Sequence, residues 1–199
     1  MNLAGLLLDR LPTLVALLLS LSVHEYAHAR AARAMGDDTA RAQGRETLDP
    51  TAHIDPLGLM LPLVGVPFGW AKPVPVNVLR LRADWSGRGA MMVVAAAGPA
   101  SNAFLAVWTW ALSVAIDLEG RHWLSASLLD VASMNLALAV FNLLPIPPLD
   151  GSRVVDALIP ASLRPYWERL GTAGAITLLV GGALVYVVVQ SMWFALQSY

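Results

Sequence analysis

Long apolar stretches, separated by short polar segments, make up most of this chain. Three of them contain no charged residue, at Gly89–Ile116, Val131–Leu149 and Leu170–Tyr199. A further predicted helix, at about Leu11–Met35, is apolar in its first half and polar in its second. A helix needs roughly 20 apolar residues to cross about 30 Å of hydrocarbon. The pattern therefore predicts an all-α membrane protein with about four transmembrane helices, in a single domain over residues 1–199.

The apolar segment Leu57–Gly69 fits a transmembrane helix less well. It is short, and Pro62 and Pro67 each remove a backbone donor, which favours a re-entrant or interfacial segment over a full span. If it does not cross, 11 of the 13 Lys and Arg residues share one side of the membrane and only Arg10 and Arg121 lie opposite. Cytoplasmic loops are enriched in Lys and Arg, so this bias predicts re-entry, with both termini outside the cytoplasm. If the segment does cross, the bias largely disappears.

The stretch Trp70–Val78 is expected to be a short extended ribbon. Valines alternate along it, and Pro73 and Pro75 would confine it to the edge of a sheet. Such an edge near a catalytic centre would hold an unwound substrate by backbone pairing. A surface ribbon without any ligand explains the pattern equally well.

Composition supports the membrane prediction and narrows the function. Hydrophobic residues make up 57% of the chain against 14% charged, and the mean hydropathy is +0.60, outside the usual range of soluble proteins. A net charge of -1 gives no electrostatic basis for binding nucleic acid. The chain has no cysteine, which excludes disulfides and thiolate metal ligands.

The most specific chemical signal is the sequence His24-Glu25-Tyr26-Ala27-His28 in the first predicted helix. This HExxH spacing places two imidazoles one turn apart on the same helix face, where both can bind one zinc ion. The glutamate is then free to act as a general base on a metal-bound water. The alternative is a helix whose histidines are satisfied by ordinary hydrogen bonds.

A catalytic zinc site needs a third ligand and an open position for water. The candidates are His122, Asp130 and Asp150. Residue His122 lies on the far side of the membrane in this topology, and Asp130 reads as part of a capping box that starts a helix at Ser127. Residue Asp150 follows a helix predicted to end near Leu144 and several prolines that break it, at the same depth and side as the HExxH motif, although Asp150-Gly151 would also suit an ordinary turn.

These residues resemble the site-2 protease family of intramembrane zinc metalloproteases. The resemblance rests on His24-Glu25-x-x-His28, on Gly98-Pro-Ala-Ser-Asn102, and on Asn142-x-x-Pro-x-Pro-x-x-Asp150-Gly151. The stretches His53–Gly58 and Phe68–Asn77 are similar to a small subgroup that lacks PDZ and CBS domains. The family implies one Zn²⁺, with His24, His28 and Asp150 as its ligands.

Three further residues are candidates for substrate contact. Residues Asn102 and Asn142 are amides in apolar helices, each expected to hydrogen-bond across to another helix. They are either structural or donors to a substrate carbonyl or oxyanion, and the family resemblance favours the second role. Residue His53 precedes the re-entrant segment and either points at the site or is a plain loop histidine.

Taken together, these features predict a zinc metalloendopeptidase that cleaves in or near the transmembrane helices of other membrane proteins, with Glu25 as general base. We expect an integral, multi-pass protein of the cell (plasma) membrane, with its site toward the cytoplasm and the lipid bilayer as its surroundings. The alternative is a non-proteolytic membrane protein that binds metal or translocates ions. Mere zinc binding would not require Glu25, which favours the protease.

Overall fold

The regular structure of the described residues is helical. The computed structural model describes residues 3–63, 69–82, 86–169, 171 and 174. Short 3₁₀ turns occur at Pro50–His53, Val78–Arg80 and Ala161–Leu163, and residues 164–169 are also helical. The α-helices, numbered in chain order, are α1 (Leu3–Ala34), α2 (Thr39–Ala42), α3 (Pro56–Leu63), α4 (Ser86–Leu118), α5 (His122–Asn142) and α6 (Asp150–Leu158). The all-α prediction is confirmed for this part of the chain.

Helix α4 packs against α1, α5 and α6. Small side chains at these contacts let the helix backbones approach closely. Residues Ala29 and Ala32 of α1 and Ala90 of α4 are fully or almost fully buried. On α5, Ala132 and Ala139 are buried in the same way. The three long helices α1, α4 and α5 are therefore close enough for polar side chains between them to meet.

Large apolar side chains point outward from the long helices, while polar side chains are buried between them. The amides Asn102 of α4 and Asn135 of α5 are 0% and 1% exposed. In contrast, Trp108 of α4 and Val140 of α5 are 63% and 58% exposed. This arrangement reverses the usual pattern of a soluble protein and suits helices surrounded by lipid.

Within the described residues, two stretches are long and apolar enough to cross a membrane, Gly87–Leu118 and His122–Asn142. The second is α5, which begins well before the uncharged stretch Val131–Leu149 and ends at Asn142, close to the helix end predicted near Leu144. Its start at His122 places Ser127 and Asp130 inside the helix, so the predicted capping box is wrong. Helix α5 ends before the prolines of the Asn142–Asp150 region because proline lacks the N–H that a helix requires. The absence of charge indicates that a stretch is apolar, but it does not determine where a helix begins.

Two of the predicted membrane segments are described only in part. Helix α3 has eight residues, all but the first of which belong to the apolar segment, and its rise of about 12 Å is well short of the hydrocarbon thickness. Residues 64–68 of that segment lie outside the described residues, as does nearly all of the predicted span Leu170–Tyr199. Re-entry and the predicted spans at about Leu11–Met35 and Leu170–Tyr199 stay predictions.

The ribbon predicted at Trp70–Val78 does not pair as a strand. Residues 69–77 have no regular secondary structure, and no strand occurs elsewhere in the described part of the chain. Its Lys72 N–H donates to the His53 carbonyl (2.9 Å), and its Val74 N–H donates to the Glu25 carboxylate (2.8 Å). These two N–H groups therefore bond within the protein and are not available to a partner strand.

Candidate metal centre

Three potential ligand atoms converge between α1 and the start of α6. The His24 Nε2 atom lies 3.0 Å from His28 Nε2, and the Asp150 Oδ2 atom lies 3.1 Å from the first and 3.2 Å from the second. The four-residue spacing in α1 brings the two imidazoles together locally. The carboxylate comes from a residue more than 120 positions later in the chain. The site thus brings together residues of the first numbered helix, α1, and of the last, α6.

Residue Asp150 reaches the histidines because the chain turns sharply after α5. Helix α5 ends at Asn142 and α6 begins at Asp150, with an irregular segment rich in proline between them. A Cβ atom on Gly151 would collide with the Leu143 and Leu144 carbonyls, so this turn requires glycine. A carboxylate must be in its charged form to bind a metal.

Helix α4 lies directly against the two imidazoles at Gly98. A Cβ atom at this position would lie 2.6 Å from His24 Nε2 and closer still to His28 Nε2. Any side chain there would occupy the space in which the ligand atoms converge. Glycine is the residue that lets α4 approach the centre this closely.

The Nδ1 nitrogen of each imidazole forms a hydrogen bond to a residue of α4. The His28 Nδ1–H group donates to the Val94 carbonyl (2.7 Å), and the His24 Nδ1–H group donates to Asn102 Oδ1 (2.6 Å). A backbone carbonyl can only accept, so His28 carries its proton on Nδ1. The Asn102 amide is oriented by its Nδ2–H, which donates to the Ser20 carbonyl (3.4 Å). In its neutral form, each imidazole therefore presents a lone pair on Nε2.

This donor set fits a zinc ion. Two lone pairs and a carboxylate oxygen lie 3.0–3.2 Å apart with no donor between them, an arrangement that is repulsive until a cation binds. Tetrahedral coordination with bonds of about 2.0 Å separates neighbouring ligand atoms by about 3.3 Å. Two imidazoles and one carboxylate also leave a fourth position open, which is typical of catalytic zinc. The hydrogen bonds to Val94 and Asn102 are of the kind that orient metal-bound histidines.

The glutamate of the motif lies beside these ligands but is held differently. Residue Glu25 is 8% exposed, and its Oε2 atom accepts a hydrogen bond from the Val74 N–H. It is not a member of the group formed by His24, His28 and Asp150. Its carboxylate is therefore adjacent to the centre without completing it.

The three residues predicted to contact substrate have different environments in the structure. The polar atoms of Asn102 are used within the protein, since its amide N–H groups donate to Asn135 Oδ1 and the Ser20 carbonyl. This placement orients His24 and does not offer a donor to a substrate. The amide of Asn142 donates to the Leu138 carbonyl of its own helix (2.9 Å), not across to another helix as predicted.

Residue His53 is fully buried and lies outside the group of potential ligands. Its Nε2–H donates to the Thr47 carbonyl (2.9 Å), and its own carbonyl accepts from the Lys72 N–H. The histidine thus ties together two irregular segments of the chain.

Residue Asn135 was not identified from the sequence, although it holds the Asn102 side chain behind His24. The Oδ1 atom of Asn135 accepts from Asn102 (2.8 Å), and its Nδ2–H donates to Ser20 Oγ (3.0 Å). These bonds link α5, α4 and α1 behind His24. The sequence offered the same signal for Asn135 as for Asn142, namely an amide in an apolar helix. Residue Asn135 lies two turns before Asn142 on the same face of α5.

Comparison with known proteins places these features in a family. The model of Peptidase family M50 matches residues 120–188, a region that includes Asp150. The "Putative zinc metalloprotease YwhC" of Bacillus subtilis is 41% identical over 181 residues, which cover 87% of this chain and 81% of the relative. The "Putative zinc metalloprotease Rip2" of Mycolicibacterium smegmatis is 31% identical over 179 residues, covering 89% of this chain and 67% of the relative. No solved structure matches the chain.

Proposed function

Since the chain belongs to Peptidase family M50, the site-2 protease family, we propose that it is an intramembrane zinc endopeptidase. The family is membrane-embedded, and relatives that match most of this chain carry the name of zinc metalloprotease. The proposed reaction is hydrolysis of a peptide bond in or near a transmembrane helix of another membrane protein.

One observation carries the proposal. The lone pairs of His24 and His28 and the carboxylate of Asp150 converge within 3.2 Å of one another, beside a buried glutamate that is not one of them. A site built only to hold a metal needs no such glutamate. Hydrolysis does, because a proton must leave the attacking water and reach the departing amine.

Each residue of the centre has a distinct proposed role. The side chains of His24, His28 and Asp150 would hold a zinc ion, which would supply the Lewis acidity that activates water near neutral pH and polarises a carbonyl group. The Glu25 carboxylate takes the proton of the attacking water and passes it to the nitrogen of the broken peptide bond. The Asn102 side chain holds the His24 ring in the orientation that presents Nε2.

The proposed substrate is a transmembrane helix that has locally unwound. A helix engages its own carbonyl groups in hydrogen bonds and so shields them from attack. Cleavage therefore requires a stretch of the substrate that is easily unwound, as well as access of water to the centre.

We propose that the protein crosses the cell membrane several times, with α1 and the region after residue 170 adding spans to α4 and α5. The excess of Lys and Arg on one side supports a centre that faces the cytoplasm. Such a position would also bring water to the reaction.

Cleavage by the purified protein in detergent tests the proposal. A fluorogenic model transmembrane peptide should be cut, cleavage should stop after treatment with a zinc chelator, and added zinc should restore it. Mass spectrometry would locate the cleaved bond.

A membrane protein that only binds or moves metal predicts the opposite pattern. The peptide would remain intact at every zinc concentration, and the reconstituted protein would move zinc into liposomes. That result would overturn the proteolytic function.

A further inference from the structure

The segment Ala71–Asn77 crosses the chain next to the predicted general base. Its Val74 N–H donates to Glu25 Oε2 at 2.8 Å, and both groups are buried. The Val74 side chain packs against Ala29 of α1 and Ala40 of α2. This segment therefore contacts α1 through both its backbone and its side chain, at the residues that directly follow the two histidines of the motif.

The sequence of the segment leaves one donor at this point. Because Pro73 and Pro75 have no N–H, Val74 supplies the single amide donor in the run from 73 to 75. The ring of Pro73 fixes its own φ, and a residue before proline is restricted to extended conformations, so Val74 has little freedom. A donor held this way loses little conformational entropy when it binds a carboxylate.

Independent contacts hold the segment in place on both sides of Val74. The Lys72 N–H donates to the buried His53 carbonyl, and the Asn77 N–H donates to Asp37 Oδ2 (2.6 Å). From outside, the Arg45 guanidinium donates to the Lys72 carbonyl (2.7 Å). None of these groups takes part in metal binding, yet together they fix the position of one backbone N–H.

Carboxylates rotate easily about their last torsion, so a general base gains from being held. Among the described residues, the Val74 N–H is the hydrogen-bond donor to Glu25. A charge-assisted bond of this kind is among the stronger hydrogen bonds in proteins. It engages Oε2 and leaves Oε1 to accept a proton.

We propose that the Val74 N–H positions the general base by holding Oε2 so that Oε1 meets the attacking water. This inference rests on the proposed proteolytic function. It assigns a role to Val74 and to the residues that fix its position, His53, Arg45 and Asp37. Residue Val74 is a positioning residue and acts through Glu25.

The variant Val74→Pro tests the inference, because it removes the donor and keeps a similar apolar volume. The ring Cδ atom of proline takes the place of the N–H hydrogen, so the Glu25 carboxylate has to leave its present position in this variant. The matched control is Val76→Pro, which removes an N–H that has no hydrogen bond among the described residues. Both variants add one proline to the same segment.

The measurements are zinc content, thermal unfolding, kcat and KM with a fluorogenic model transmembrane peptide in detergent. For Val74→Pro we expect kcat to fall about ten- to a hundredfold, the scale of a misplaced catalytic group, with KM and zinc content unchanged. For Val76→Pro we expect kcat close to the wild-type value. A merely structural role of Val74 would instead lower zinc content and unfolding temperature together with kcat.

Wild-type kcat in Val74→Pro would overturn the inference and leave the proposed function intact. Absence of cleavage by the wild-type protein would instead overturn the proposed function. If Val74→Pro does not fold, Arg45→Ala loosens the same segment from outside. The inference then requires a several-fold lower kcat at unchanged KM and zinc content, and an unchanged kcat contradicts it.

Discussion

The two histidines of the centre are oriented by different kinds of acceptor. A backbone carbonyl, which no substitution removes, orients His28. The side chain of Asn102 orients His24 and is itself held by Asn135 and Ser20. Substitution can therefore disturb His24 selectively, through a residue that does not bind the metal.

The two amides that looked equivalent in the sequence should differ when each is replaced by alanine. Asn102→Ala leaves His24 Nδ1 without its acceptor, and loss of such a partner typically lowers metal affinity 10- to 100-fold. Asn142→Ala removes a bond within one helix and should leave zinc affinity near wild type. Competition with a zinc chelator of known affinity measures both. Equal affinities in the two variants would contradict the role given to Asn102.

Replacement of Asp150 by asparagine tests the third ligand. A neutral amide oxygen is a poor zinc ligand compared with a carboxylate, so zinc affinity should fall by orders of magnitude and cleavage should stop. If Asp150 served only the turn before Gly151, asparagine would be nearly silent, because it suits turns equally well. Zinc content and peptide turnover, measured on the same sample, separate the two cases. Full values of both would place the third ligand elsewhere.

Contacts of the centre between residues close in sequence could be predicted from the local pattern, and contacts between distant residues could not. The spacing of His24 and His28 fixes their geometry within one helix, so the motif alone was sufficient to pair them. The position of Asp150 depends on where α5 ends and which side it reaches, and it required topology and family resemblance. The bonds of Asn135 and Val74 join residues 33 and 49 positions from their partners. No local pattern encodes those bonds, and they appear only once the helices are packed.

At the scale of elements, the centre depends on the close approach of α4 to α1. Glycine is a poor helix former, and Ala is favoured by about 1 kcal/mol at an exposed helical position. Helix α4 nevertheless carries Gly98 where its backbone passes the imidazoles. The cost in helix propensity is consistent with a requirement for space at the metal centre.

Two glycines of α4 provide a matched pair to test this contact. A Cβ at Gly98 would overlap the imidazole nitrogens, whereas a Cβ at Gly87 would meet nothing within 4 Å. Gly87→Ala should leave zinc binding unchanged and stabilise the helix slightly. Gly98→Ala should abolish zinc binding despite the same gain in propensity. Zinc content of the two purified variants is the measurement, and normal zinc content in Gly98→Ala would contradict the packing.

Helix limits were less predictable than helix existence. The prolines after α5 cannot extend a helix, so its end at Asn142 lies close to the end predicted near Leu144, whereas its start at His122 precedes the uncharged stretch and was not predicted. The extended segment after α3 was expected to be a sheet edge. Its bonds instead go to His53 and Glu25, which no alternation of valines could indicate.

At the scale of the whole molecule, the distribution of charge predicts how the protein sits in the membrane. Cysteines introduced at Lys72 and Arg164 should react from the cytoplasmic side, and one at Arg121 from the opposite side. The wild-type chain has no cysteine, so each label reports a single position. A membrane-impermeant thiol reagent applied to intact cells and to inverted vesicles distinguishes the two sides. Labelling of positions 72 and 164 from opposite sides would contradict the re-entrant topology.

Replacement of Glu25 by glutamine tests the proposed chemistry most directly. Glutamine keeps the shape of the side chain and an oxygen that can accept from the Val74 N–H, but it cannot take a proton from water. The purified variant should bind as much zinc as the wild-type protein and should not cleave a model transmembrane peptide. Cleavage at the wild-type rate by a zinc-loaded Glu25→Gln protein would contradict the assignment of Glu25 as general base.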